Sequence, residues 1–181
     1  MSDPRSLTNR MIRAARLDVD FYEEVEADTT ANWQAFQAVI VASVASGLGY
    51  GLWAIHTQGL AWFAVGMILG VGMSIIGWIA WSGLAYWLGT TIFRGPQTSA
   101  TIGELVRTIG FSNSPRVLSI FSFIPVLGPL IAFIVSVWAL IAGVIAVRQA
   151  LDFSTWRAIA TCVVGWILYM ALLSVLQWVI L

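Results

Sequence analysis

TTANWQAFQAVIVASVASGLGYGLWAIHTQGLAWFAVGMILGVGMSIIGWIAWSGLAYWLGTTIF, residues 29–93, runs for 65 positions without an Asp, Glu, Lys or Arg. A helix crossing a bilayer needs about 20 apolar residues. The stretch is therefore long enough for two crossings, expected over about 33–55 and 60–90, with His56-Thr57-Gln58-Gly59 as the uncharged turn between them. The second run is longer than the hydrocarbon core, so it is expected to tilt, protrude or fray near Gly89. Two more uncharged runs, 117–147 and 158–181, are 31 and 24 residues long. Of all 181 residues, 59% are hydrophobic and 10% charged, against about a quarter charged in soluble domains. An all-α integral membrane protein follows. A transmembrane β-barrel would instead alternate apolar and polar residues, with turns about every ten.

Several chemistries fall away. Nine Arg balance nine acids and there is no Lys, so no basic footprint for nucleic acid exists. The single cysteine, Cys162, lies in the last apolar run and allows neither an internal disulfide nor a cysteine metal cage. Residues 1–28 contain no uninterrupted apolar core of a secretory signal. The expected location is the cytoplasmic (inner) membrane.

Residues 1–30 form a polar cytoplasmic arm, and residues 31–181 a single helical membrane domain. Arg5, Arg10, Arg13 and Arg16 are followed by Asp18, Asp20, Glu23, Glu24, Glu26 and Asp28; with Asp3 the arm nets −3 and the rest of the chain +3. Met11, Ala15, Val19 and Tyr22 recur at helical spacing, and Arg16 and Asp20 stand four apart. One short helix is expected, either along the membrane surface or solvated ahead of the first span.

Beyond Arg94 the chain is punctuated. Thr101 with Glu104 reads as a capping box opening a helix over 102–109, with Gly110 as its stop. Ser114 and Pro115 read as the cap and first residue of the next helix. Pro125, Gly128 and Pro129 cannot continue that helix unbroken. The third crossing, 115–127, is thus short and proline-broken: either extended by the preceding amphipathic piece or re-entrant. Spans over about 130–147 and 155–180 follow, the last capped by Ser154. Arg clusters mark cytoplasmic segments, and they alternate with Arg-free turns if the chain crosses five times, N-terminus inside and C-terminus outside.

No charge is expected deep within a span, which leaves no catalytic, cofactor or metal-binding residue to name. His56 stands at a span end with no second ligand near it in sequence. Small residues one turn apart, Gly47 with Gly51, Gly66 with Gly70 and Ser74, and Ala139 with Gly143, are packing seams for this bundle or for an oligomer. Trp33, Trp53, Trp62, Trp87 and Trp156 sit near span ends, while Trp78 and Trp81 lie deeper. Arg94, Arg107, Arg116, Arg148 and Arg157 are expected on the cytoplasmic face. There the acids of the arm, Glu23, Glu24 and Glu26 among them, would fold back on them; anionic lipid is the other available partner.

The run from Glu104 to Pro115 with Gly110-Phe111, then Ile124-Pro125 and Gly128-Pro129, then Ala146-Val147-Arg148 and the restart Ser154-Thr155-Trp156-Arg157-Ala158 resembles the Yip-type domain of polytopic membrane proteins. The likeness covers 103–181 by motif and the first hairpin by hydropathy. It implies about five membrane helices. In the eukaryotic branch it also implies association with Rab-type GTPases, but the Asp-Leu-Tyr-Gly-Pro type motif of that branch is missing here, which points to the prokaryotic-like branch. The leading functional expectation is a non-enzymatic scaffold or accessory subunit of a membrane assembly, or a membrane organiser. Its partners would be lipids and other membrane subunits or copies of itself. The alternatives are a small transporter, channel or lipid-translocating protein built on Pro125–Pro129, and a pigment- or quinone-associated subunit resting on Trp78, Trp81 and His56.

Overall fold

The computed structural model describes residues 3–180, with the side chains of all of these except 53, 54, 56–58, 172, 173 and 175–180. His56 and Trp53 therefore lie outside the described side chains. The elements are α1 (Leu7–Ala15), α2 (Val19–Ala27), a 3-10 turn (Thr29–Ala31), α3 (Asn32–Gln58), α4 (Leu60–Thr91) and α5 (Ile102–Ser112). A 3-10 segment (Ser114–Phe123), α6 (Leu127–Ala150) and α7 (Thr155–Ile180) complete the chain. No strand occurs among the described residues. Three helical stretches are long and apolar enough to cross a membrane, Thr29–Leu52, Leu60–Thr91 and Leu127–Ala150, and Thr155–Ala171 is a shorter apolar one.

The first hairpin turns at Gly59, whose φ of 85° suits glycine. α4 continues unbroken for 32 residues, roughly 48 Å of helix. Gly89 is not a fraying point: a Cβ there would overlap the Leu151 side chain, so the glycine admits the loop before α7.

The arm differs from the single helix its spacing suggests. Leu17, at φ 61°, breaks it, and Asp18 Oδ1 accepts from the Phe21 amide (3.1 Å) to start α2. Arg16 and Asp20 therefore fall on opposite sides of a break and form no i,i+4 pair. A capping carboxylate beats a weak surface ion pair here, because it satisfies an otherwise orphaned amide. Nor does the arm merely lead into the first span. Phe21, Tyr22 and Val25 of α2 are fully buried, and the Phe21 ring meets Phe111 of α5 edge-on at 5.3 Å.

α5 opens with the expected capping box: Thr101 Oγ1 accepts from the Glu104 amide (3.4 Å), and Glu104 Oε2 accepts from the Thr101 amide (2.7 Å). It does not stop at Gly110, however, but runs through it to Ser112. A Cβ on Gly110 would lie 2.9 Å from that of Ala35. Its use is close approach of α5 to α3, not helix termination.

The next segment is 3-10, not α, with Asn113 at the cap position and the fully buried Pro115 in the first turn. Ser114 donates back to the Phe111 carbonyl (2.6 Å) instead of capping. At about 2.0 Å per residue its ten residues reach ~20 Å, further than an α-helix of equal length. It lies along α3, where a Cβ on Gly49 would overlap the Ser119 carbonyl. Val126 (φ 69°) then reverses the chain, with Gly128 pressed against the Ser122 carbonyl. α6 begins at Leu127, three residues before the expected start. Pro129 falls in its first turn, where a missing N–H is tolerated.

The Gly49 contact generates a direct test. Gly49→Ala should lower stability by about 1–3 kcal/mol through overpacking, whereas Gly70→Ala, with open space around it, should fall within about 0.5 kcal/mol. Thermal unfolding of both variants in detergent measures the contrast.

Candidate functional site

α2 ends badly by its own sequence. Its C-terminal half carries Glu23, Glu24 and Glu26, with Asp28 as its cap, and no basic residue sits in its last turn. Negative charge at a helix C-terminus opposes the macrodipole, and the last carbonyls lack intrahelical partners. Arg107 of α5 supplies what is missing. Its Nε donates to the Val25 carbonyl at 3.0 Å and its Nη2 to the Glu26 carbonyl. The Nη1 lies 3.4 Å from Asn32 Oδ1 at the start of α3. Arg107 is only 4% exposed, so one guanidinium clamps α2, α3 and α5.

The C-terminus of α1 is finished in a similar way, by the Trp138 indole of α6 donating to the Ala15 carbonyl (2.7 Å). Gln149 donates to Glu23 at 2.7 Å. The arm thus meets the bundle mainly through capped backbone and buried rings.

Its charges are satisfied differently from expectation. Arg10, buried, pairs with Asp28 at 2.6 Å and also donates to Gln34 (2.9 Å). Arg13 pairs with Asp18 at 2.8 Å and Glu24 at 2.5 Å. Among the described residues no ion pair joins an arm carboxylate to Arg94, Arg107, Arg116, Arg148 or Arg157. Proximity in sequence wins: the arm's own Arg residues reach its acids first. The Thr30 hydroxyl and then Arg10 hold the Asp28 carboxyl down at about 2. Glu26 moves the other way, to about 7, through burial and then the charges of Glu104, Asp152 and Glu23, against which Arg107 acts.

A second feature lies between the helices of the bundle. A cavity of about 700 Å³ is walled by α3, α4, α5, α6 and α7, and Arg116 of the 3-10 segment lines it. The Arg116 carbonyl accepts from Ser46 at 3.4 Å. Ser46 stands 14 residues after Asn32 and 12 before Gln58 on α3, so roughly 20 Å of helix separates it from each end. Arg116 does not sit at the arm end with the other Arg residues. It leaves α5 at Ser112 and is carried inward by the 3-10 segment, which a count of charges along the chain does not reveal. Ser43, Ser74, Asn113 and Ser136 also line the cavity, as do Trp78, Trp81 and Cys162. The Trp78 indole is engaged, donating to the Val106 carbonyl at 2.9 Å. Pro125, Gly128 and Pro129 are not among its lining residues.

The glycines sort into two groups. Gly47 and Gly51 face Met67 and Phe63 of α4, closing the first hairpin. Gly66, Gly70 and Gly143 have nothing among the described residues within 4 Å of an added Cβ, and Ser74 donates to the Gly70 carbonyl of its own helix (2.9 Å). Arg148, half-buried, accepts through its carbonyl from Phe153 (2.9 Å). Exposed Arg157 packs by Gly95 in a small cleft with Asp152 and Gln97. Gly49, Trp138 and Gln149 were not singled out by spacing. Gly49 had a signal, since it sits between Gly47 and Gly51, but on another face of α3.

The family model of the Yip1 domain matches residues 17–176. The chain belongs to the Yip1-domain family. The match begins at the break before α2 and covers the first hairpin as well as the second half, so it includes α2 and the Arg107 clamp. No curated protein and no solved structure matches the chain. Family membership and the apolar helices together make this an integral membrane protein, of a family not known for enzymes.

Two outcomes follow for the arm. Arg107→Met leaves two α2 carbonyls unpaired, each costing about 1–3 kcal/mol when buried, and limited proteolysis should release the arm faster. The second concerns pH. The carboxyl of Glu26 is raised from 4.5 to about 7 in the folded arm, so the folded state binds the extra proton between these values. The docking stability from protonated Glu26 is full below 4.5 and lost as pH rises through about 7. Arm cleavage should be slower at pH 5.5 than at pH 8, and Glu26→Gln should remove the difference; Asp18 and Asp28, held low, do not titrate in that window.

Proposed function

We propose that this Yip1-domain protein is a non-enzymatic membrane organiser, a scaffold or accessory subunit that works by helix packing. It crosses the inner membrane five times, through α3, α4, α5 with its 3-10 extension, α6 and α7. The arm faces the cytoplasm and the C-terminus the opposite side. Arg94, Arg107, Arg148 and Arg157 all lie at the arm end of the bundle, which supports this orientation by the positive-inside rule.

The face of α4 carries the proposal. Only 6% of its most apolar window is buried within the chain, and Ile68, Leu69, Met73 and Ile76 are more than 60% exposed. Gly66 and Gly70 lie on the same open stretch, with no neighbour among the described residues. Lipid covers apolar side chains as well as another helix does, but small residues one turn apart are what close helix approach requires. α4 is therefore read as the seam that takes a second helix, from a partner subunit or another copy.

A second reading, lipid handling, is favoured by one observation: the cavity between α3, α4, α5, α6 and α7 that Arg116 lines.

Native purification followed by mass spectrometry tests the scaffold. The wild type should carry a stoichiometric partner or assemble with itself, and the Gly66→Leu/Gly70→Leu double variant should lose that species at unchanged thermal stability. A lone wild-type monomer, or an assembly indifferent to the double variant, contradicts the seam.

A further inference from the structure

The cavity contains a cation whose counter-charge the chain does not hold. Of the nine acids, seven belong to the arm, and the others are Glu104 in the first turn of α5 and Asp152 in the loop before α7. No acid lines the cavity. The Arg116 guanidinium makes no ion pair and donates no hydrogen bond to any described residue, although the residue is exposed onto the cavity. Ionisable side chains at this depth are costly and mark ligand or ion pathways by default. Arg does not shed its proton to escape the cost, and with no acid of the chain beside it a counter-charge is available only from an anion outside the chain.

The wall defines that anion further. Ser43, Ser46, Asn113 and Ser136 also line it, but each already donates to a backbone carbonyl, so the Arg116 guanidinium is the donor left for an anion, and a guanidinium fork suits phosphoryl oxygens. The volume, about 700 Å³, exceeds what a lone phosphate fills and lies within the range of sites for drug-sized ligands. Trp78, Trp81 and Cys162 give it apolar surface. Met73, Leu140 and Trp166 border it and are each at least 60% exposed on the bundle's outer side, so acyl chains could leave toward the membrane. An ammonium headgroup would find no carboxylate on this wall.

Building on the lipid-handling reading, we infer that the Arg116 cavity binds the phosphate of an anionic phospholipid, Arg116 holding the phosphoryl oxygens and the acyl chains lying between α4, α6 and α7. This separates Arg116 from the other Arg residues: they mark topology, and it binds ligand.

The test reconstitutes the full chain in nanodiscs of mixed phosphatidylglycerol and phosphatidylcholine and weighs the retained lipid by native mass spectrometry. The wild type should keep phosphatidylglycerol in preference. Arg116→Gln should cut that preference about tenfold, the loss of one charge-assisted contact. Arg116→Lys should restore most of it, and Arg148→Gln, at the arm end, should leave it unchanged. Equal thermal stability of the Lys variant and the wild type shows that the fold is intact. Preference that survives Arg116→Gln overturns the site while leaving lipid handling through another surface open. An absence of any lipid preference in the wild type overturns both readings. Saturable binding of inorganic phosphate by the wild type in pure phosphatidylcholine discs, competing with the lipid, overturns the lipid assignment in favour of a soluble anion.

Discussion

The donation from Arg107 into the last turn of α2 is the contact on which the arm end of this structure depends. α2 carries three Glu residues in its last five positions and is capped by Asp28, which by macrodipole and repulsion should unravel it. A buried guanidinium reverses that balance because it neutralises and hydrogen-bonds at once, in a site where water does not compete. With α2 held, Phe21, Tyr22 and Val25 can be buried on α5 and α6, and α3 starts from a fixed position at Asn32. The acids of the arm are then free to pair with Arg10 and Arg13, and Glu26 is left as the strained group.

Close backbone approach does the corresponding work deeper in the bundle. Gly49 admits the Ser119 carbonyl and Gly110 admits α5 against Ala35. Together they draw α5 and its 3-10 extension along α3, and that path carries Arg116 inward to the level of Ser46.

Much of the architecture was legible in composition. Uncharged runs of 65, 31 and 24 residues announce lipid-facing helices whatever their details, and the Thr101–Glu104 box is read directly from spacing because both of its hydrogen bonds are local. The path of the arm was not legible. Its break at Leu17 depends on a carboxylate choosing an amide over a guanidinium, and its docking depends on Arg107, 82 and 81 residues from the two carbonyls it binds. Gly110 misled because glycine serves both helix ends and close contacts, and only the neighbour, Ala35, decides which. Arg116 misled for a related reason: charge counting assigns an Arg to the nearest loop, whereas depth is set by how far the segment travels along α3. The family resemblance was read from 103–181, yet the match reaches back to 17, since hydropathy alone carries little identity through the first hairpin.

Hydrogen–deuterium exchange of the wild-type chain in nanodiscs at pH 6 addresses the clamp most directly. The amides of 21–27 should exchange as slowly as those of 105–111 in α5, because both lie under the same buried contact. Exchange of 21–27 at the rate of an unfolded peptide, with α5 protected, would mean that the arm is not held by Arg107 and would contradict the account.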